Sequence, residues 1–134
     1  MSENKIEMKK LLDMATKVAV LAKEKKVQPT QLSNLLSVLE AERGEDAVYL
    51  LLAHITRQSQ RVWRDNGAVA TPLLKDIQLI LETYKTDSRR LVDTIRKYLG
   101  LIKWINDAAK PLKFEDLKQI KSFEDFLDKF TKVG

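Results

Sequence analysis

The chain has 134 residues, of which 44% are hydrophobic and 32% are charged, with a net charge of +5. This length and composition predict one folded domain with a hydrophobic core and argue against a disordered chain. Cysteine is absent and His54 is the single histidine, which excludes disulfides, thiol nucleophiles, thiolate zinc sites and multi-histidine metal centres. No apolar run approaches the ~20 residues of a membrane span, and the charged N-terminus shows no secretory signal. We therefore expect a mildly basic cytoplasmic domain without metal or cofactor.

Apolar residues recur at helical spacing along almost the whole chain, and no segment shows the alternation of a strand. The first predicted helix spans residues 4–26. The second begins at Pro29, whose fixed φ suits a first helical turn, and ends at Gly44. The third spans residues 45–65, and its acidic start favours the positive end of the helix dipole.

A fourth helix is predicted to follow Thr71 and Pro72, a capping residue and a proline suited to the first turn. Residues 86–88 offer several N-caps for a fifth helix that ends near Pro111. Gly100 lies inside this helix, at a cost of about 1 kcal/mol relative to alanine unless packing requires a small side chain.

The tail, residues 112–134, predicts one or two short amphipathic helices with Ser122 as a cap. By default we expect this tail to pack on the bundle, and the alternative is that it docks on a partner. No segment is long enough to be an interdomain linker. The sequence therefore predicts an all-α protein, a compact bundle of five or six helices forming a single domain over residues 1–134.

Signatures of catalysis are absent from the sequence. It contains neither a glycine-rich phosphate loop nor a Gly-x-Ser-x-Gly elbow. His54 is the only candidate general base near neutral pH, and without partner residues we interpret it as a surface or partly buried helix residue. We therefore expect a protein that is not an enzyme.

The most informative feature is a basic strip at the end of the third helix. Arg57, Arg61 and Arg64 are spaced i, i+4 and i+7, which places three guanidinium groups on one face, with Gln58 adding hydrogen-bonding groups nearby. Guanidinium groups bind phosphates bidentately, so this strip is typical of a surface that contacts a phosphodiester backbone. The alternative is an ordinary solvated face, since a charge of +5 also serves solubility.

The fifth helix repeats the pattern. Arg89, Arg96 and Lys103 are seven residues apart along one edge, which Asp93 interrupts, and Arg90 and Lys97 form a neighbouring edge.

Two tryptophans, Trp63 and Trp104, lie among these basic residues. Trp63 could stack on a base, but we expect both tryptophans to pack against neighbouring helices, as aromatic residues in bundles usually do.

The order of these features resembles the small, all-helical subunit of type III-A (Csm-type) CRISPR interference complexes. One likeness is the segment Val27-Gln28-Pro29-Thr30-Gln31-Leu32-Ser33-Asn34 before a leucine-rich helix. The other is Ile55-Thr56-Arg57-Gln58-Ser59-Gln60-Arg61, which matches the family at Gln58, at Arg61 and in its apolar start. Ser33 stands where the family has an arginine and Gln60 where it has a glycine. The small subunits of type III-B and type I-A complexes are nearby alternatives.

The resemblance implies a protein without an active site, several copies of which lie along a filament of backbone subunits. It implies contact with guide RNA and target RNA, with backbone and large subunits, and with further copies of the chain, while base pairing supplies specificity. Gln58 and Arg61 are carried over by position. Helical geometry adds Arg57 and Arg64 to these candidate RNA-binding residues. Arg89, Arg96 and Lys103 are further candidates because they are basic and evenly spaced.

A second hypothesis comes from another class of protein. The apolar tail could dock a partner helix, making the chain a protein–protein adaptor without nucleic-acid binding. This hypothesis predicts an exposed apolar patch around Phe123, Phe126 and Phe130.

Overall fold

The computed structural model describes residues 5–63 and 67–131, without the side chain of Val62. Within these ranges the chain is all-α and has no strand. The described elements are α1 (Met8–Glu24), α2 (Pro29–Glu40), α3 (Gly44–Gln58), a π-helical turn (Ser59–Trp63), α4 (Ala70–Thr83), α5 (Ser88–Ala108), α6 (Phe114–Lys118) and α7 (Phe123–Thr131). The predicted class is therefore confirmed, and the predicted five or six helices become seven because the tail forms two.

The longest helix, α5, is the centre of the bundle. It contacts α1, α2, α3 and α4, and its buried residues fall on one side at helical spacing. The largest of these buried residues is Tyr98, which has no exposed surface. Because four helices bury apolar side chains against α5, much of the hydrophobic stabilisation of the bundle is located around this helix.

Helix α1 is joined to α5 beside one of its small buried residues. Ala15, Ala19 and Ala22 of α1 have no exposed surface. The buried Asn106 of α5 donates from Nδ2 to the carbonyl oxygen of Ala19 over 3.1 Å, so its amide is not left without a partner.

Helix boundaries depart from the sequence prediction at several places. Helix α1 spans Met8–Glu24 and is shorter at both ends than the predicted residues 4–26. Helix α2 ends at Glu40 rather than at Gly44, and Gly44 with its φ of 61° opens α3 instead. Helix α4 begins at Ala70, so Thr71 and Pro72 lie inside its first turn. The predicted end of the third helix at Asp65 lies outside the described residues.

The tail segments α6 and α7 both contact α1. The backbone N–H of Phe123 donates to Oδ1 of Asp13 in α1 over 2.9 Å, and Ser122 Oγ accepts from the Asp125 N–H over 3.2 Å. The predicted cap at Ser122 is thereby confirmed. The ring of Phe126 is buried and Phe123 is half-buried, so the patch predicted by the adaptor hypothesis is wrong at Phe126.

Candidate nucleic-acid interface

The start of α5 is set by a side-chain cap. Asp87 Oδ1 accepts from the backbone N–H of Arg90 over 3.1 Å, which satisfies one of the free donors of the first turn. The buried residues of α5 point into the core and the residues between them point outward. The cap sets where α5 begins, whereas packing against α1 to α4 decides which of its sides faces solvent.

Two rows of outward side chains follow the helix axis. They form a surface that we name the α5 face, consisting of Arg89, Arg90, Arg96, Lys97, Lys103 and Trp104. Lys103 is half-buried and the other five are exposed. Each row repeats every seven residues, so its members lie about 10 Å apart.

Trp104 is the residue that the sequence prediction placed wrongly. It is 75% exposed instead of packing against a neighbouring helix, because α1 to α4 cover the other sides of α5. The spacing of Arg90 and Lys97 continues to Trp104, and that continuation was the signal that could have placed it outside. An exposed indole offers a flat surface for stacking.

The basic side chains of the α5 face differ in whether they interact with neighbouring residues of the chain. Arg96 is engaged, since its guanidinium lies 2.9 Å from Asp93 and 3.8 Å from Glu40. Arg90 lies over the ring of Tyr84, 4.9 Å from its centroid. Lys97, by contrast, makes no ion pair within the described chain, and the same holds for Arg89 and Lys103.

Shallow hollows flank the α5 face on both sides. One of about 420 Å³ lies against the start of α1 and adds Lys5, and another of about 330 Å³ lies against the start of α3 and adds Arg43. Carboxylates of Glu7 and Glu42 line them as well. The positive surface thus extends past α5, although acidic side chains interrupt it.

The other predicted basic surface is the α3 strip, the residues Arg57, Gln58, Arg61 and Arg64. Arg57 and Arg61 are exposed, Gln58 is half-buried, and Arg64 lies outside the described residues. Neither Arg57 nor Arg61 forms an ion pair with any described carboxylate. The sequence reasoning missed the π-helical turn Ser59–Trp63, which interrupts the assumed α-helical spacing before Arg64.

The remaining two residues of interest near this strip are His54 and Trp63. Trp63 is buried, as predicted, and its Nε1 has no hydrogen-bond partner among the described residues. His54 is half-buried; burial, and then the nearby Arg57, lower its pKa. At neutral pH His54 is therefore uncharged and adds nothing to the positive strip.

The described ranges contain no group of three or more histidine, aspartate or glutamate side chains placed to hold a metal ion. None of their helices combines the length and apolar character needed to cross a membrane.

Comparison with known proteins gives no relative: no family model, curated protein or solved structure matches this chain.

Proposed function

We propose that the protein is a non-catalytic RNA-binding subunit of a ribonucleoprotein, of the kind represented by the small subunits of type III CRISPR interference complexes. The observation that carries the proposal is Trp104, an indole exposed in a row of basic side chains on a rigid central helix. In such a complex the chain would contact guide and target RNA together with backbone and large subunits.

The chemistry of the α5 face suits single-stranded or duplex RNA with little sequence preference, and only a base that stacks on Trp104 has to be unpaired. Lys97 and Lys103 supply charge to phosphates, and Trp104 supplies a stacking surface that accepts any base. Neither group reads base edges, so sequence selection is left to base pairing between two RNA strands. The α3 strip shares its face with acidic and apolar side chains and therefore does not carry this proposal.

The test is the salt dependence of binding to a labelled single-stranded RNA. A variant with Arg89→Ala, Lys97→Ala and Lys103→Ala should bind more weakly, with a log–log salt slope less steep by about 0.7 for each phosphate that is no longer neutralised. The matched control removes three exposed lysines elsewhere, through Lys75→Ala, Lys85→Ala and Lys121→Ala. Equal slopes in the two variants would contradict a specific α5 face.

Stacking is tested separately through Trp104→Ala. We expect a loss of about 1–3 kcal/mol in RNA binding, because one stacked base loses its platform. In the parent, RNA should quench the emission of the exposed Trp104, while Trp63, being buried, gives a constant background. If RNA affinity is unchanged in Trp104→Ala and RNA does not change the emission of the parent, Trp104 does not contact RNA and the proposal is wrong.

Assembly is tested by purification together with the proteins encoded beside it. The proposal expects nuclease-sensitive RNA of uniform length in the purified complex, whereas a helical adaptor would copurify with protein alone.

A further inference from the structure

The outward face of α3 changes character along its length. Its acidic, apolar and basic members are all exposed, and we name them together the α3 face: Glu42 and Asp46, then Tyr49, Leu50 and Ala53, then Arg57 and Arg61. Glu42 precedes the helix but lies beside Asp46, since the two line one shallow hollow of about 360 Å³ together with Tyr49 and Leu50.

The charged ends alone have an ordinary explanation. Carboxylates at the start of a helix and guanidinium groups at its end both suit the helix dipole. The dipole does not explain the apolar centre of the face. Tyr49 is 54% exposed and Leu50 is 46% exposed, although the opposite side of α3 already packs in the core. Adjacent exposed apolar side chains of this size are typical of a contact surface.

The order of residues on this face is symmetric. Asp46 and Arg57 lie equally far from the midpoint between residues 51 and 52, and so do Glu42 and Arg61. Leu50 and Ala53 share that midpoint. A second copy of the face, turned antiparallel about the midpoint, therefore meets Asp46 with Arg57 and Leu50 with Ala53 within α3 itself. Glu42 precedes α3 and Arg61 lies in the π-helical turn, so they bring opposite charges to the same two ends by sequence order.

From this arrangement we infer that the α3 face joins two copies of the chain in an antiparallel, two-fold symmetric pair. Asp46 of each copy contacts Arg57 of the other, and Glu42 contacts Arg61, giving four ion pairs at the two ends. Leu50 packs on the small Ala53 at the centre, where the exposed apolar surface is removed from water. Because both copies use the same surface, association through it stops at two.

A second copy fits this face better than an RNA strand does. Asp46 and Glu42 repel phosphates, whereas in the pair they neutralise Arg57 and Arg61. Glu42 also lines the hollow that holds Arg89 and Arg96, so the pair would border the α5 face at that end. The inference does not rest on the proposed RNA binding.

The experiment is a charge exchange read by sedimentation equilibrium over a range of protein concentrations at low salt. The parent should associate to a dimer, and Asp46→Arg or Arg57→Glu alone should weaken association by about tenfold or more, because each places like charges opposite each other. An equimolar mixture of the two variants should restore the pair, since every contact in the mixed dimer is again complementary. Lys121→Glu makes the same change of charge in the tail, away from α3, and should associate as the parent does.

Several outcomes would overturn the inference. These are a parent that stays monomeric, single variants that associate like the parent, a mixture that does not recover, or Arg57-dependent association beyond two copies. A loss of RNA binding in Arg57→Glu with unchanged association would instead assign the α3 strip to RNA, as the sequence predicts. Circular dichroism of each variant separates these results from misfolding, and RNA binding by Trp104 and Lys97 variants is measured independently of them.

Discussion

Tyr98 and Asp76 show how single residues couple the central helix to its surroundings. The Tyr98 hydroxyl donates to Oδ2 of Asp76 over 2.7 Å, joining α5 to α4. Burial raises the pKa of Asp76, while the Tyr98 bond and then Lys17 and Lys10 act in the opposite direction. The pKa of Tyr98 is well above its usual value, through burial first and the Asp76 carboxylate second. The bond therefore stabilises a charged carboxylate in a partly apolar site.

Tyr98→Phe tests this pair. At pH 7 the substitution should lower the free energy of unfolding by about 1.5–3 kcal/mol, because a half-buried carboxylate loses its donor. Because the pKa of Asp76 is raised, its carboxylate in the folded state binds a proton at a pH above the ordinary carboxyl pKa of 3.8. As the pH falls through that pKa, Asp76 becomes neutral and the difference between variant and parent should shrink.

Urea unfolding at neutral and acidic pH measures both effects. Tyr84→Phe is the matched control, since the Tyr84 hydroxyl accepts from the neutral Ile6 N–H over 2.9 Å. The loss of unfolding free energy in Tyr84→Phe should not depend on the protonation of Asp76. An identical pH dependence in both variants would therefore contradict the role given to the Tyr98–Asp76 hydrogen bond.

At the scale of the helix, local sequence signals gave starts more reliably than ends. The caps at Asp87 and Ser122 are confirmed because a side-chain oxygen acts on its own first turn. The end of α1 was predicted at residue 26 and lies at Glu24. Lys26 adopts a φ of 60°, and Val27 N–H donates to the Ala22 carbonyl over 2.8 Å in a Schellman arrangement. Burial of Val27 favours that ending although lysine rarely adopts this conformation.

Gly100 allows a prediction about α5 itself. A methyl group at this position would meet nothing within 4 Å, so packing does not require glycine there. Gly100→Ala should raise the free energy of unfolding by about 0.5–1 kcal/mol through the higher helix propensity of alanine.

The comparison for Gly100 is Gly67→Ala, measured by the same urea unfolding. Gly67 has a φ of 80°, and a Cβ there would lie 2.8 Å from Thr71 Oγ1. That variant should be less stable than the parent, and destabilisation of both variants would show that α5 needs a glycine after all.

At the scale of the whole molecule, stability should be distributed unevenly. Helix α5 packs against four helices, whereas α7 contacts α1 and keeps Leu127 and Phe130 exposed. In native-state hydrogen exchange, amides of Ile95–Ile102 should exchange only through global unfolding. Amides of α7 should be at least about tenfold less protected, through local opening. Equal protection in the two helices would show that the tail unfolds only with the bundle.

Periodicity and capping were enough to predict the all-α class, most helix positions and the outward rows of basic residues on α5. Both signals act within a few residues along the chain, which is why they can be read without the fold. The exposure of Trp104, the pairing of Arg96 with Glu40 and the acidic, apolar and basic order of the exposed part of α3 came from the folded structure instead. Exposure and pairing depend on which helices cover which sides of α5 and α3, and that arrangement arises from packing between residues far apart in sequence.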